Sequence, residues 1–159
     1  MDGAWGIAVD ADAGNVYWTT HTSVMSSAVD RPNSQKTIFS SGVTGVLGLA
    51  IDGRNVYWTN SITGDVMECG FECPGFPVTL ASNQGAPTFI AVDDANVYWT
   101  NNSSGSVVEC GIGGCPGGPK TLATNQSSPM GIVVDTDSIY WTDFGGNTTV
   151  GGPVMRLRK

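Results

Sequence analysis

The apolar positions of this chain come in short runs that recur in one fixed order. A run closed by aspartate comes first: Gly6-Ile-Ala-Val-Asp10, Gly48-Leu-Ala-Ile-Asp52, Phe89-Ile-Ala-Val-Asp93 and Gly131-Ile-Val-Val-Asp135. Tyr-Trp-Thr follows, at Tyr17-Trp18-Thr19, Tyr57-Trp58-Thr59, Tyr98-Trp99-Thr100 and Tyr140-Trp141-Thr142, with spacings of 40, 41 and 42 residues. A third segment is visible as Ser23-Val-Met25, Asp65-Val-Met67, Ser106-Val-Val108 and Pro153-Val-Met155. A fourth closes three of the units, at Lys36-Thr-Ile-Phe39, Pro77-Val-Thr-Leu80 and Lys120-Thr-Leu-Ala123. Each segment is short, rich in β-branched or aromatic residues and bounded by Gly, Pro, Asn or Asp, so each predicts a β-strand. The first segment is a continuous apolar run, which predicts a strand buried on both faces. Adjacent Tyr and Trp point to opposite faces of their strand, so one ring serves each neighbouring sheet. A helical repeat of the same length would need 3.6-residue periodicity, and none is present.

Four antiparallel strands in about 40 residues make one blade of a propeller. The expected fold is all-β: a β-propeller of four ~40-residue, four-stranded blades (about 1–42, 43–83, 84–125 and 126–159) in a single domain spanning 1–159. The last blade lacks its outer strand. Two closures are compatible with this: a four-bladed monomer, or half of an eight-bladed ring completed by a second chain head to tail. A third reading is a piece cut from a longer chain. Small residues on the inner strands favour the homodimer. Arg156, Arg158 and Lys159 close the last strand, where charge either discourages edge-to-edge pairing or serves as a solubilising tail.

Gly131-Ile-Val-Val-Asp135 followed by Ile139-Tyr-Trp-Thr-Asp143 resembles the YWTD repeat of low-density-lipoprotein-receptor-type propellers. The pattern is also similar to the NHL and gluconolactonase/regucalcin groups. The last motif residue is Thr20, Asn60 and Asn101 in the first three copies, with Asp only at position 143. The gluconolactonase resemblance implies a channel metal held by Glu, Asn and Asp. Here Glu68, Glu72 and Glu109 all lie on or beside third strands, away from the axis, so the glutamate does not carry over.

Composition narrows the function further. Fourteen acidic side chains against seven basic ones give a net charge of −7, and no Lys/Arg cluster exists to neutralise phosphates, so nucleic acid is not an expected partner. No apolar run approaches the ~20 residues of a membrane-spanning helix. Cys69 and Cys73, and Cys110 and Cys115, occupy the same place in successive repeats, where the third strand turns into the fourth. A hairpin turn brings its flanking Cα atoms within disulfide range, so the expected pairs are Cys69–Cys73 and Cys110–Cys115. The rival is one zinc site using all four cysteines, disfavoured because the pairs lie on separate blades. Disulfides imply an oxidising compartment, so the expected location is secreted, periplasmic or cell-surface, with a leader peptide removed.

The candidate chemistry is sparse. His21 is the only histidine, and there is no Gly-x-Ser-x-Gly elbow or phosphate-cradling motif, which leaves no nucleophilic triad. Asp10, Asp52, Asp93 and Asp135 cap the turns after the first strands; their alternative role is as oxygen ligands to a metal, with calcium the only candidate cofactor and none required. The loops between second and third strands, and those between blades, share one end and are rich in amides and hydroxyls. Trp5, Asn60, Phe89, Asn101, Asn102, Met130 and Phe144 form the candidate ligand face there, suited to a glycan or a protein. Sequons at Asn101, Asn102, Asn125 and Asn147 matter only in a glycosylating host. The expected function is a non-catalytic binding or scaffold propeller outside the cytoplasm. A divalent-metal lactonase-type hydrolase is the alternative.

Overall fold

The computed structural model describes residues 3–73, 75–145 and 152–159. Four antiparallel meanders follow one another along the chain. β1 (Ile7–Asp10), β2 (Asn15–Thr19), β3 (Ser23–Ala28) and β4 (Arg31–Ser40) make the first blade. β5 (Val46–Ile51), β6 (Asn55–Asn60), β7 (Asp65–Gly70) and β8 (Val78–Ala81) make the second. β9 (Pro87–Val92), β10 (Asn96–Asn101), β11 (Ser106–Gly111) and β12 (Lys120–Ala123) make the third. Among the described residues the fourth has three strands: β13 (Pro129–Val134), β14 (Ser138–Asp143) and β15 (Val154–Arg158). The four blades and the shortened last blade agree with the sequence expectation. β4 is longer than Lys36–Phe39 because it starts directly after the turn from β3, whereas the second and third blades carry a disulfide-closed loop there.

The core lies between blades rather than within them. Tyr17 of the first blade packs with Leu49, Val56 and Trp58 of the second. Tyr57 packs with Ile90, Val97 and Trp99 of the third, and Tyr98 with Ile132, Ile139 and Trp141 of the fourth. Each seam thus joins the tyrosine face of one blade to the tryptophan face of the next, because adjacent strand residues point to opposite sides. Inner strands pack in the order β1, β5, β9, β13, and among the described residues no comparable packing joins β1 to β13. The expectation that first strands are buried on both faces therefore fails for the first blade. Ile7 is 70% exposed, while its counterparts Leu49, Ile90 and Ile132 are 7–8% exposed. Among the described residues no blade packs on that side of β1.

The inner strands approach closely enough to exclude side chains. A Cβ on Gly48 would lie 2.5 Å from the Thr88 carbonyl oxygen, and one on Gly6 would lie 2.7 Å from the Leu49 nitrogen. Where β5 bulges against β6, the ladder is completed by a side chain: Gly48 N–H donates to Thr59 Oγ1 at 3.0 Å.

Candidate functional site

The meander puts different chemistry at the two ends of the blades. The turns joining first to second strands and third to fourth strands share one end. The loops joining second to third strands, with the connections between blades, share the other.

The first end is acidic. Asp10, Asp52, Asp93 and Asp135 each accept two backbone N–H bonds from their own turn, through Oδ1, at 2.6–3.1 Å. Tyr57, Tyr98 and Tyr140 donate their hydroxyls to Oδ2 of Asp52, Asp93 and Asp135 at 2.7–3.0 Å. Burial, together with the Asp93 carboxylate, pushes Tyr98 up to about 12, and burial with Asp52 raises Tyr57 as well. Burial alone would raise Asp93, but the Lys159 ammonium and the Ala95 and Asn96 amides outweigh it and hold the carboxyl down to about 2. Among the described residues, no three His, Cys, Asp or Glu side chains gather as metal ligands would. The structure therefore uses the four aspartates as turn caps, one per blade.

At this end a groove of about 870 Å³ runs between the third and fourth blades, lined in part by Val92, Asp93, Glu109, Lys120, Leu157 and Lys159. Its charges are matched: Lys120 Nζ donates to Glu109 at 2.7 Å, and Lys159 bridges Asp93 and the Asp135 carbonyl. Earlier seams are filled at this depth by the disulfides. Cys69–Cys73 and Cys110–Cys115 both form, with Cα atoms 5.2 Å apart, which removes the zinc alternative. Cys69 and Cys73 pack toward the first blade, where Phe71 stacks on Tyr17 at 5.0 Å; Cys115 packs near Leu80 of the second. In the first blade Ser27 Oγ bonds the Arg31 carbonyl at 3.0 Å, a polar substitute for the same clip.

The opposite end carries uncharged loops. Gln84 and Gln126, in the connections between blades, each accept Trp Nε1–H of the following blade: Trp99 at 3.2 Å and Trp141 at 2.9 Å. Asn83 and Asn125, and Ala86 and Ser128, hold left-handed backbone in these connections, with φ of 55–57°. The sequence showed that these connections are rich in amides but not that a glutamine amide reaches an indole across a seam. The threonine of the first three motifs has a similar role that the sequence did not show. Thr19, Thr59 and Thr100 donate through Oγ1 to carbonyls of the next blade (Leu47, Thr88 and Met130) at 2.5–2.9 Å.

The candidate ligand residues divide. Asn60 and Asn101 are buried and internally bonded: Asn60 Oδ1 caps its own loop by accepting from Ile62 N–H and Thr63 N–H, and Asn101 Nδ2 donates to Gln84 and Ser106. Neither presents an amide to a ligand, and burial also closes the sequon at Asn101. Asn102 is partly exposed, with Nδ2 3.3 Å from Met130 Sδ. Trp5 is 59% exposed and donates from Nε1 to His21 Nδ1 at 3.0 Å. Phe89 is exposed where two neighbouring inner strands have glycine, and Phe144 is 80% exposed. The sequon at Asn147 lies outside the described residues. Ile62 and Val43, which the sequence did not single out, join the exposed set on this end.

No family model and no curated protein matches the chain. Solved structures do. A chain from the crystal structure of a nidogen/laminin complex superposes with a TM-score of 0.83 at 20% identity, covering 98% of this chain and 59% of that one. Virginiamycin B lyase from Staphylococcus aureus superposes with a TM-score of 0.59 at 16% identity, covering 98% of this chain and 70% of that one. The present chain thus spans about three fifths of the length of the nidogen-complex chain. With tyrosine and tryptophan faces alternating through three seams, the chain shares the β-propeller fold of these two solved structures.

Proposed function

We propose that the chain is a non-catalytic binding module working outside the cytoplasm, and that it recognises a protein ligand with the end formed by the second-to-third-strand loops and the connections between blades. One observation carries this reading. Trp5, Val43, Ile62 and Phe144 are exposed on that end, among uncharged amides and hydroxyls, while the carboxylate caps lie at the other. Apolar and aromatic groups surrounded by neutral hydrogen-bonding groups are what a protein-binding surface contributes to its buried centre. A glycan would also use an aromatic platform, but Ile62 and Phe144 offer a sugar no polar tip. Two disulfides suit an oxidising compartment. The nidogen structure, of the same fold, is that of a complex with laminin. The reading needs no cofactor, and the working unit is proposed to contain more than one copy of the chain.

The test is surface binding to a panel of purified secreted and matrix proteins, beside a glycan array, both with chelator present. Phe144→Ala and Ile62→Ala are expected to weaken protein binding by ~10-fold or more, the usual effect of removing a central contact. Asp12→Asn and Asp94→Asn, at the acidic end, are expected to leave it unchanged. Binding that follows the aspartates instead would reject this face, and a response confined to glycans would replace the ligand class.

A further inference from the structure

Each internal seam joins the tyrosine face of one blade to the tryptophan face of the next, and the two outermost blades each keep one half of such a seam uncovered. On the tryptophan face of the first blade, Ile7, Val9 and Val29 are exposed and line an almost wholly apolar groove with Val16 and Trp18. The corresponding residues of later blades, such as Val56 and Trp58 or Val97 and Trp99, are buried. On the tyrosine face of the fourth blade, Val154 is 71% exposed, where Val24, Val66 and Val107 are fully buried. Val133 is exposed on the same face, where Ala50 of the second blade is buried. Thr142 is exposed too, although Thr19, Thr59 and Thr100 are fully buried with Oγ1 on the next blade. Apolar faces of this extent mark an interaction site on a folded protein.

From these two faces we infer that the protein associates with a second copy of itself head to tail, the tyrosine face of the fourth blade on one copy packing against the tryptophan face of the first blade on the next. Chemistry repeated within the chain picks this partner. Tyr140 and Val154 take the parts of Tyr98 and Val107, and Ile7 and Trp18 take those of Ile132 and Trp141. Thr142 Oγ1 reaches the Trp5 carbonyl, since Trp5 precedes Gly6 as Met130 precedes Gly131. Charge agrees with this arrangement. Val154, Arg156 and Arg158 share the exposed side of β15, while Met155 and Leu157 point into the third seam. The two arginines therefore come to the end of the partner's first blade that carries Asp10, Asp12 and Asp30. Such a contact is heterologous, so it ends only when a ring closes and otherwise continues from copy to copy. This deepens the self-association proposed above; its failure would leave the loop-end binding reading standing, because Ile62 and Phe144, on which that reading is tested, take no part in the seam.

The experiment is light scattering on the intact, non-reduced chain and two variants, Ile7→Asp and Val154→Asp. Both positions are exposed, so neither change removes packing within one copy, and near-ultraviolet circular dichroism checks that the tryptophans keep their surroundings. At ~100 μM, well above the dissociation constant of a standard interface, the parent chain is expected to exceed its 16.5 kDa monomer mass. Each variant alone is expected to be monomeric, since every head-to-tail contact needs both faces. Mixed in equal amounts, they are expected to form a pair of twice 16.5 kDa and nothing larger, because each supplies the face the other lacks. Thr142→Val is expected to weaken the parent association about three- to tenfold, the value of one hydrogen bond. A parent chain that stays at 16.5 kDa overturns the inference, as do variants that fail to pair when mixed.

Discussion

Thr59 accepts the Gly48 amide at 3.0 Å and donates to the Thr88 carbonyl at 2.9 Å, so one fully buried hydroxyl mends a gap in its own sheet and fastens the next blade. Valine fits the same space without either bond. Thr59→Val leaves a buried N–H and a buried C=O less satisfied, and a destabilisation of about 2–3 kcal/mol is expected from urea unfolding. Thr59→Ser keeps the hydroxyl and is expected to recover most of that loss. A Val variant as stable as the parent chain beside a weakened Ser variant would show that the methyl, not the hydroxyl, is what matters. The threonine was visible in the sequence as part of a repeated tripeptide, but its partners lie 11 and 29 residues away and belong to other strands. Asn60 and Asn101 mislead for the same kind of reason. An asparagine at a strand end looks like an exposed loop amide, and only the folded loop shows that Asn60 turns inward to cap the backbone and Asn101 to donate to the side chains of Gln84 and Ser106.

At the scale of the element, the inner strands pack Leu49, Ile90 and Ile132 into the seams and use glycine where their backbones approach most closely. Gly48 has the Thr88 carbonyl where a Cβ would point, at 2.5 Å, and that neighbour is backbone, so it cannot swing aside. Gly48→Val is expected to force β5 and β9 apart and to cost about 1–3 kcal/mol or more, the range for overpacking a tight core. Gly53→Ala, in a turn with open space around the Cβ position, is the control. If both changes cost the same, close approach of the inner strands is not what glycine provides. The strands themselves were legible from period, β-branching and turn residues, because these are local properties. The length of β4 was not, since it depends on whether the turn before it is a tight hairpin or a disulfide loop.

For the whole molecule, stability resides in the seams, and these respond to pH differently. Asp93, held at about 2, links the third blade to Lys159 of the fourth. A carboxyl depressed below its ordinary ~3.9 contributes stability that is complete above that value and is lost as pH falls toward 2. Glu68 has the opposite sign: burial, with Asp52 nearby, raises it, so its contribution is present at low pH and declines as pH rises through the raised value. Lys159→Met removes the cation beside Asp93, and the loss of stability between about pH 4 and pH 2 is expected to become shallower in urea titrations across that interval. An unchanged slope would mean that the ion pair does not hold the seam. The same arrangement explains the pattern of exposure. The tryptophan face of the first blade and the tyrosine face of the fourth are apolar because each repeat is written alike, and exposed because no blade of this chain covers them.

The sequence alone determined the repeat, its strands, the shortened last blade and both disulfides, because period, turn chemistry and short hairpin loops are properties of neighbouring residues. Tertiary structure decided everything that depends on which surfaces meet: that the tyrosine of one blade pairs with the tryptophan of the next, that Gln84 and Gln126 serve indoles across a seam, and that the four aspartates stay apart as caps. The ends of the stack belong to that second group. A local pattern writes an apolar residue at Ile7 and at Ile132 alike, and only the placement of whole sheets leaves one in water and the other in the core.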